Sequence, residues 1–174
     1  GSSISHCMEA DSPTGTWPAV AAYAGAQQVN LQSFGFAGQC QLDQFVARTM
    51  RDLPADLITL KIGINVVNID SMRERVFPSA LHGFLDTLRE GHAQTPIILV
   101  SPIYCPSAED NPGPTIPDET GKFRTHKGDE RLRQGALSLK RVRQLMTNLV
   151  LQRTEPGDNN LYYLDGLELF SEAD

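Results

Sequence analysis

The sequence predicts an α/β fold: one parallel sheet with helices on both faces, a three-layer α/β/α sandwich. Three observations predict it. The runs ADLITLKIG and TPIILVSPI are apolar on both faces, as strands inside a parallel sheet are. Amphipathic helical stretches lie between these runs. A further run, NNLYYLDG, follows a long helical stretch and supplies another strand. No internal repeat or low-complexity segment interrupts the alternation, and residues 1–174 are long enough to bury the core of one domain.

The elements follow in order. Thr14 or Thr16 caps a helix that has Trp17 and Pro18 at its start. QQVNL reads as a short strand and SFGFAGQC as a glycine-bearing loop. Residues 41–51 read as a helix, with Leu42, Phe45, Val46 and Met50 at helical spacing. ADLITLKIG is expected to be a central strand, and INVVNID a loop after it. Ser71 and Glu74 have the spacing of a capping box. Pro78 restarts the helix, which buries Phe77, Leu81, Phe84, Leu85 and Leu88, and Gly91 stops it. Residues 105–127 form a long Pro-, Gly- and acid-rich loop, a length associated with function or mobility. A helix over about 127–153 turns Leu132, Ala136, Leu139, Val142, Met146 and Leu149 inward and leaves its arginines and lysines to solvent.

Composition narrows the function. A net charge of −6 leaves no basic footprint for nucleic acid. No apolar run reaches membrane-spanning length. Cys7, Cys40 and Cys105 cannot close a disulfide framework and match no zinc spacing, so they read as buried free thiols of a reducing compartment such as the cytoplasm. Oligomeric state is open.

GSSISHC looks like a strand-to-helix turn whose strand is absent, and the far end stops just past a strand. The sequence is therefore expected to be a piece of a longer protein, without its first strand and last helix.

Ligands of such folds bind beyond the carboxyl ends of the strands. Three stretches there carry chemistry. GSSIS offers a serine on a tight turn, and GFAGQ a backbone N–H at a glycine open to close approach. GIN offers a carboxamide at the end of a buried strand. A nucleophile with fixed N–H donors is the minimal kit for acyl transfer.

At these residues the sequence resembles the SGNH hydrolases, also called GDSL esterases and lipases, which share a flavodoxin-like fold. Their blocks supply Ser, Gly, Asn and His in that order. The resemblance implies Ser3 as nucleophile, with Ser2 in the family's Asp position, and Gly38 and Asn65 as oxyanion donors beside the Ser3 N–H. It implies a small-molecule ester substrate and no metal or organic cofactor. The fourth block, D-x-x-H, is not met: Asp165 is followed three residues on by Glu168. The base histidine and its aspartate are therefore expected beyond Asp174, and this chain alone is expected to be nearly inactive.

His6 is expected to pack or cap, His82 to lie on the surface, and His92 to complement a helix dipole. His126 is placed at a helix start after the long loop. Beside the esterase reading stand an acyltransferase with the same serine, a flavodoxin-like module whose GSSISHC loop grips a phosphate or flavin, and a binding module that has lost catalysis.

Overall fold

The computed structural model describes residues 1–25, 29–126 and 129–174. The chain divides into two compact units, Gly1–Cys40 and Gln41–Asp174.

The first unit is built from short pieces. Helix α1 (Ser3–His6) leads through a 3-10 turn at Pro13–Gly15 to helix α2 (Trp17–Ala24). The turn closes because the Ser12 hydroxyl accepts from Gly15 N at 3.1 Å, and Pro18 sits in the first turn of α2, where no N–H is needed. The Trp17 indole N–H donates to Ile4 O at 2.7 Å and ties α2 to α1. The expected strand QQVNL begins at Gln27 and Gln28, which lie outside the described residues. Residues 29–31 form no strand; Val29 and Leu31 are exposed and find no ladder among the described residues.

The second unit holds a three-stranded parallel sheet: β1 (Ile58–Lys61), β2 (Ile97–Val100) and β5 (Leu161–Leu164), in the order β1-β2-β5. Ile58 pairs with Ile97 and Ile97 with Leu161; Leu60 pairs with Leu99 and Leu99 with Tyr163. Ile58, Leu60, Ile97, Leu99 and Leu161 are all buried. β1 was expected to be central, but it pairs with β2 alone among the described residues, and its Thr59 is exposed.

Helix α3 (Gln44–Asp52) starts three residues later than the spacing predicts. Leu42 takes a positive φ of 59°, which no helix interior allows. The shift turns Phe45 to solvent and puts Ala47 in the core. Helix α5 (Phe77–Gly91) buries the five predicted residues, each worth about 1.5–3 kcal/mol by its apolar area. Gly91 does more than end this helix. A Cβ there would lie 2.3 Å from Arg51 O, so only glycine lets α5 pass so near the end of α3. The Ser71–Glu74 capping box is absent: Val76 caps α5, while Ser71 donates to Gln41 Oε1 and Glu74 pairs with Arg141.

Three further expectations change. INVVNID is not a loop: Ile64–Asn68 forms helix α4. Gly63, at φ 110°, turns the chain straight from strand to helix. Within 105–126 a hairpin pairs β3 (Thr115–Pro117) with β4 (Phe123–Thr125). Asp118 accepts from the N–H groups of Thr120 and Lys122, the Thr120 hydroxyl and the Arg124 guanidinium, which fixes the turn and pulls its carboxyl down to about 2. Helix α6 (Leu139–Thr154) begins well after Lys127, itself outside the described residues. Gly135 at φ 75° precedes it and the Ser138 hydroxyl caps it, accepting from Arg141 N at 3.2 Å. Leu132 is 70% exposed as a result, while Leu139, Val142, Met146 and Leu149 face the core as the periodicity predicts. Helix α5 packs against both α3 and α6, and α6 also lies on β5.

Candidate active site

Ser3 and Gly38 belong to the first unit. Ser2 is extended, at φ −80° and ψ −166°, and Ser3 then opens α1, so the chain turns sharply at the predicted nucleophile. Ser3 is exposed while Ser2 is fully buried. Backbone pairing holds this turn beside residues 34–36: Gly1 N donates to Phe34 O at 2.8 Å and Phe36 N to Gly1 O at 2.7 Å. Gly35 permits the approach. A Cβ there would lie 2.6 Å from His6 N. The same stretch runs on to Gly38, which sits in a turn closed by Gln39 N donating to Phe36 O. Gly38 has φ 71°, and a Cβ there would meet open space. Its glycine answers a backbone need and leaves room in front of it.

Ser2, placed by the resemblance in the family's Asp position, is buried at the start of this turn. Its carbonyl accepts from Ser5 N and His6 N, but its hydroxyl is buried without a partner among the described residues.

Asn65 belongs to the second unit. It sits in the first turn of α4, beyond the carboxyl end of β1, and is 3% exposed. Its helix is tightly seated. A Cβ on Gly63 would lie 2.7 Å from a Val142 methyl, and one on Gly113 would lie 2.2 Å from Val67 O. Both glycines allow neighbouring segments to close on the helix that carries the carboxamide.

The carboxyl ends of β2 and β5 hold residues that the motif reading missed. Ser101 is fully buried; its hydroxyl accepts from Gly166 N at 2.9 Å and Tyr163 OH at 3.1 Å, and donates to Asp165 Oδ1 at 3.3 Å. Arg143 is also buried, which corrects the expectation that the α6 cations face solvent. It holds Glu109 through two hydrogen bonds of 2.5 and 2.9 Å and donates to Pro102 O at 3.0 Å. A buried guanidinium needs such full pairing. The signal was present: Leu139, Arg143, Met146 and Val150 follow the helical period, so Arg143 lies on the inward face. Beside it, a polar cavity of about 350 Å³ is lined by Arg141, Gln144, Thr147, Asn148, Tyr163 and Asp165 together with Arg143.

The histidines divide. His6 is exposed at the end of α1. His82 is half-buried rather than on the surface, with Nδ1 3.4 Å from the Arg153 guanidinium. His92 is buried at the end of α5 with Nε2 2.9 Å from Met50 O. His126 is exposed after β4, and its N–H donates to Pro114 O; the two residues that would continue the expected helix lie outside the described residues. The three thiols are free, but only Cys40 is buried; Cys7 and Cys105 are half-buried. Among the described residues no group of three or more His, Cys, Asp and Glu could hold a metal ion. No described helix is long and apolar enough to cross a membrane.

No family model and no curated protein matches the chain. Solved structures do. A salicylyl-acyltransferase, SsfX3, from a tetracycline biosynthetic pathway is 32% identical over 100% of this chain, with a TM-score of 0.77. A GDSL-like lipase from Bacteroides ovatus is 22% identical over 95% of this chain, with a TM-score of 0.64, a likeness of fold. The chain spans 43% and 40% of the lengths of these two structures. Its parallel α/β architecture is theirs, the fold that the resemblance to the SGNH hydrolases implied.

Proposed function

We propose that this chain is the core of a serine acyl hydrolase. Ser3 Oγ attacks the carbonyl carbon of an ester. Its proton passes to a base, and the carbonyl oxygen takes the negative charge. The N–H groups of Ser3 and Gly38 and the Asn65 carboxamide are assigned to that oxyanion. Collapse breaks the bond to the alcohol, which leaves with the proton from the base. Water then attacks the acyl-serine with the same base accepting its proton; the bond to Ser3 Oγ breaks, Oγ takes that proton back, and the acid is released. The base is assigned to a histidine beyond Asp174, steered by an aspartate near it, so the present chain alone turns over little substrate. The substrate class is a small acyl group on a carbohydrate or metabolite hydroxyl.

The observation that carries this reading is the exposed serine at a sharp turn, held by backbone pairing to the stretch that ends in a positive-φ glycine. The fold likeness supports it. A second reading, acyl transfer to a hydroxyl of a small molecule in place of water, is favoured by the 32% identity to an acyltransferase. Trapping the acyl-enzyme with and without added alcohols separates the two.

The test is turnover of short p-nitrophenyl esters by the longer protein. Ser3→Ala abolishes it. Asn65→Ala folds and loses on the order of a hundred- to a thousand-fold in kcat, the effect of removing one oxyanion donor. Unchanged turnover in Asn65→Ala takes that residue out of the site.

A further inference from the structure

The chain after β5 does not run free. It is stitched to the loop after β2 at successive points. Ser101 Oγ accepts from Gly166 N and donates to Asp165, so one buried hydroxyl grips two consecutive residues at the carboxyl end of β5. Tyr163 OH fills its remaining acceptor site, which leaves the hydroxyl saturated. Gly166 lies so close to that loop that a Cβ would sit 2.4 Å from both Ser101 O and Pro102 O. Asp165 then accepts from Leu167 N at 3.0 Å and starts a 3-10 turn over Gly166–Glu168. Further on, Tyr104 N donates to Phe170 O at 3.1 Å and the Tyr104 hydroxyl to Glu172 at 2.9 Å. The loop on the other side of these contacts is itself anchored. Arg143 fastens Pro102 and Glu109 to α6, and its Nε lies 3.8 Å from Asp165 Oδ1.

Burying a hydroxyl and a guanidinium is a costly way merely to cover a stretch of ten residues. It is an economical way to fix a direction. We propose that Ser101 and the Tyr104–Glu172 pair are positioning groups: they set residues 165–174 on the post-β2 loop and so fix the place from which the base-bearing segment departs. This inference rests on the assignment of the base beyond Asp174. None of the three residues touches substrate. They act through the base, and a base displaced by about 1 Å costs up to about a hundred-fold in rate.

The experiment uses the longer protein and p-nitrophenyl acetate. Tyr104→Phe and Glu172→Ala each remove one surface hydrogen bond, so folding is not at stake. Each is expected to lower kcat about three-fold while KM and the unfolding midpoint hold, because a slightly misplaced base weakens only the transition state. Glu172→Gln keeps an acceptor for the tyrosine hydroxyl and restores kcat. Combining Tyr104→Phe with Glu172→Ala lowers kcat no further than either alone. Ser101→Ala, which loosens the grip at its root, lowers kcat about ten-fold. Turnover that requires Ser3 yet ignores Tyr104 and Glu172 overturns this inference alone, as does a loss confined to KM or to the unfolding midpoint. Turnover that survives Ser3→Ala overturns the parent reading instead.

Discussion

The two units are held together by different physics. Among the described residues, Gly1–Cys40 contributes one residue to the buried apolar set, Cys40; the rest of that set lies in Gln41–Asp174. Met8, Trp17, Val20, Tyr23, Val29 and Leu31 are all exposed in the first unit. What orders the Ser3 turn is backbone pairing at Gly1, Phe34 and Phe36 and the close approach at Gly35. What orders Asn65 is a packed core, with α4 wedged beneath Val142 and Gly113. Ser3 thus stands on hydrogen-bonded main chain and Asn65 on a packed helix. Substitutions should act on the two by different routes.

The largest expected effect is on stability. Phe77→Ala, in the fully buried face of α5, costs about 3–5 kcal/mol. Urea unfolding followed by tryptophan-independent circular dichroism reads it, and a cost under about 1 kcal/mol would break the claim that α5 anchors the second unit. Gly35→Ala is next and sharpens the contrast. Its methyl group would displace backbone at Ser5 and His6, so ester turnover falls about ten-fold or more while the unfolding of the second unit is unchanged. Equal losses of stability and turnover would mean that the Ser3 turn is not held locally. The smallest effect belongs to Tyr23→Ala. At 93% exposure that side chain is expected to contribute within about 0.5 kcal/mol.

The second unit was the more legible in sequence, and for the same reason. Burial writes a period into a sequence, and the stripes of α5 and the apolar runs of β1 and β2 were read from it. Features set by backbone geometry leave no period. Leu42 at positive φ delayed α3, and Gly63 made a helix of a stretch read as loop. Gly135 and Ser138 postponed α6 to Leu139, because a turn residue ends an amphipathic pattern without altering it. The hairpin in 105–126 depends on one aspartate gathering four donors, which spacing does not display.

The candidate site was legible unevenly. Gly38 and Asn65 were picked by motif, and each has a local physical reason to be where it is: a positive φ in one case, a first-turn position on a wedged helix in the other. Ser101 and Arg143 were not picked. A buried serine has no signature in one sequence, whereas Arg143 sat in plain view on an apolar face and was read as one more solvated cation.

The most direct test of the central claim is covalent. The longer protein is treated with a fluorophosphonate probe, and the modified residue is identified by peptide mass spectrometry. The account predicts a single stoichiometric adduct on Ser3, absent in Ser3→Ala. A folded protein that takes no label, or takes it on another serine, would contradict the assignment of Ser3 as nucleophile.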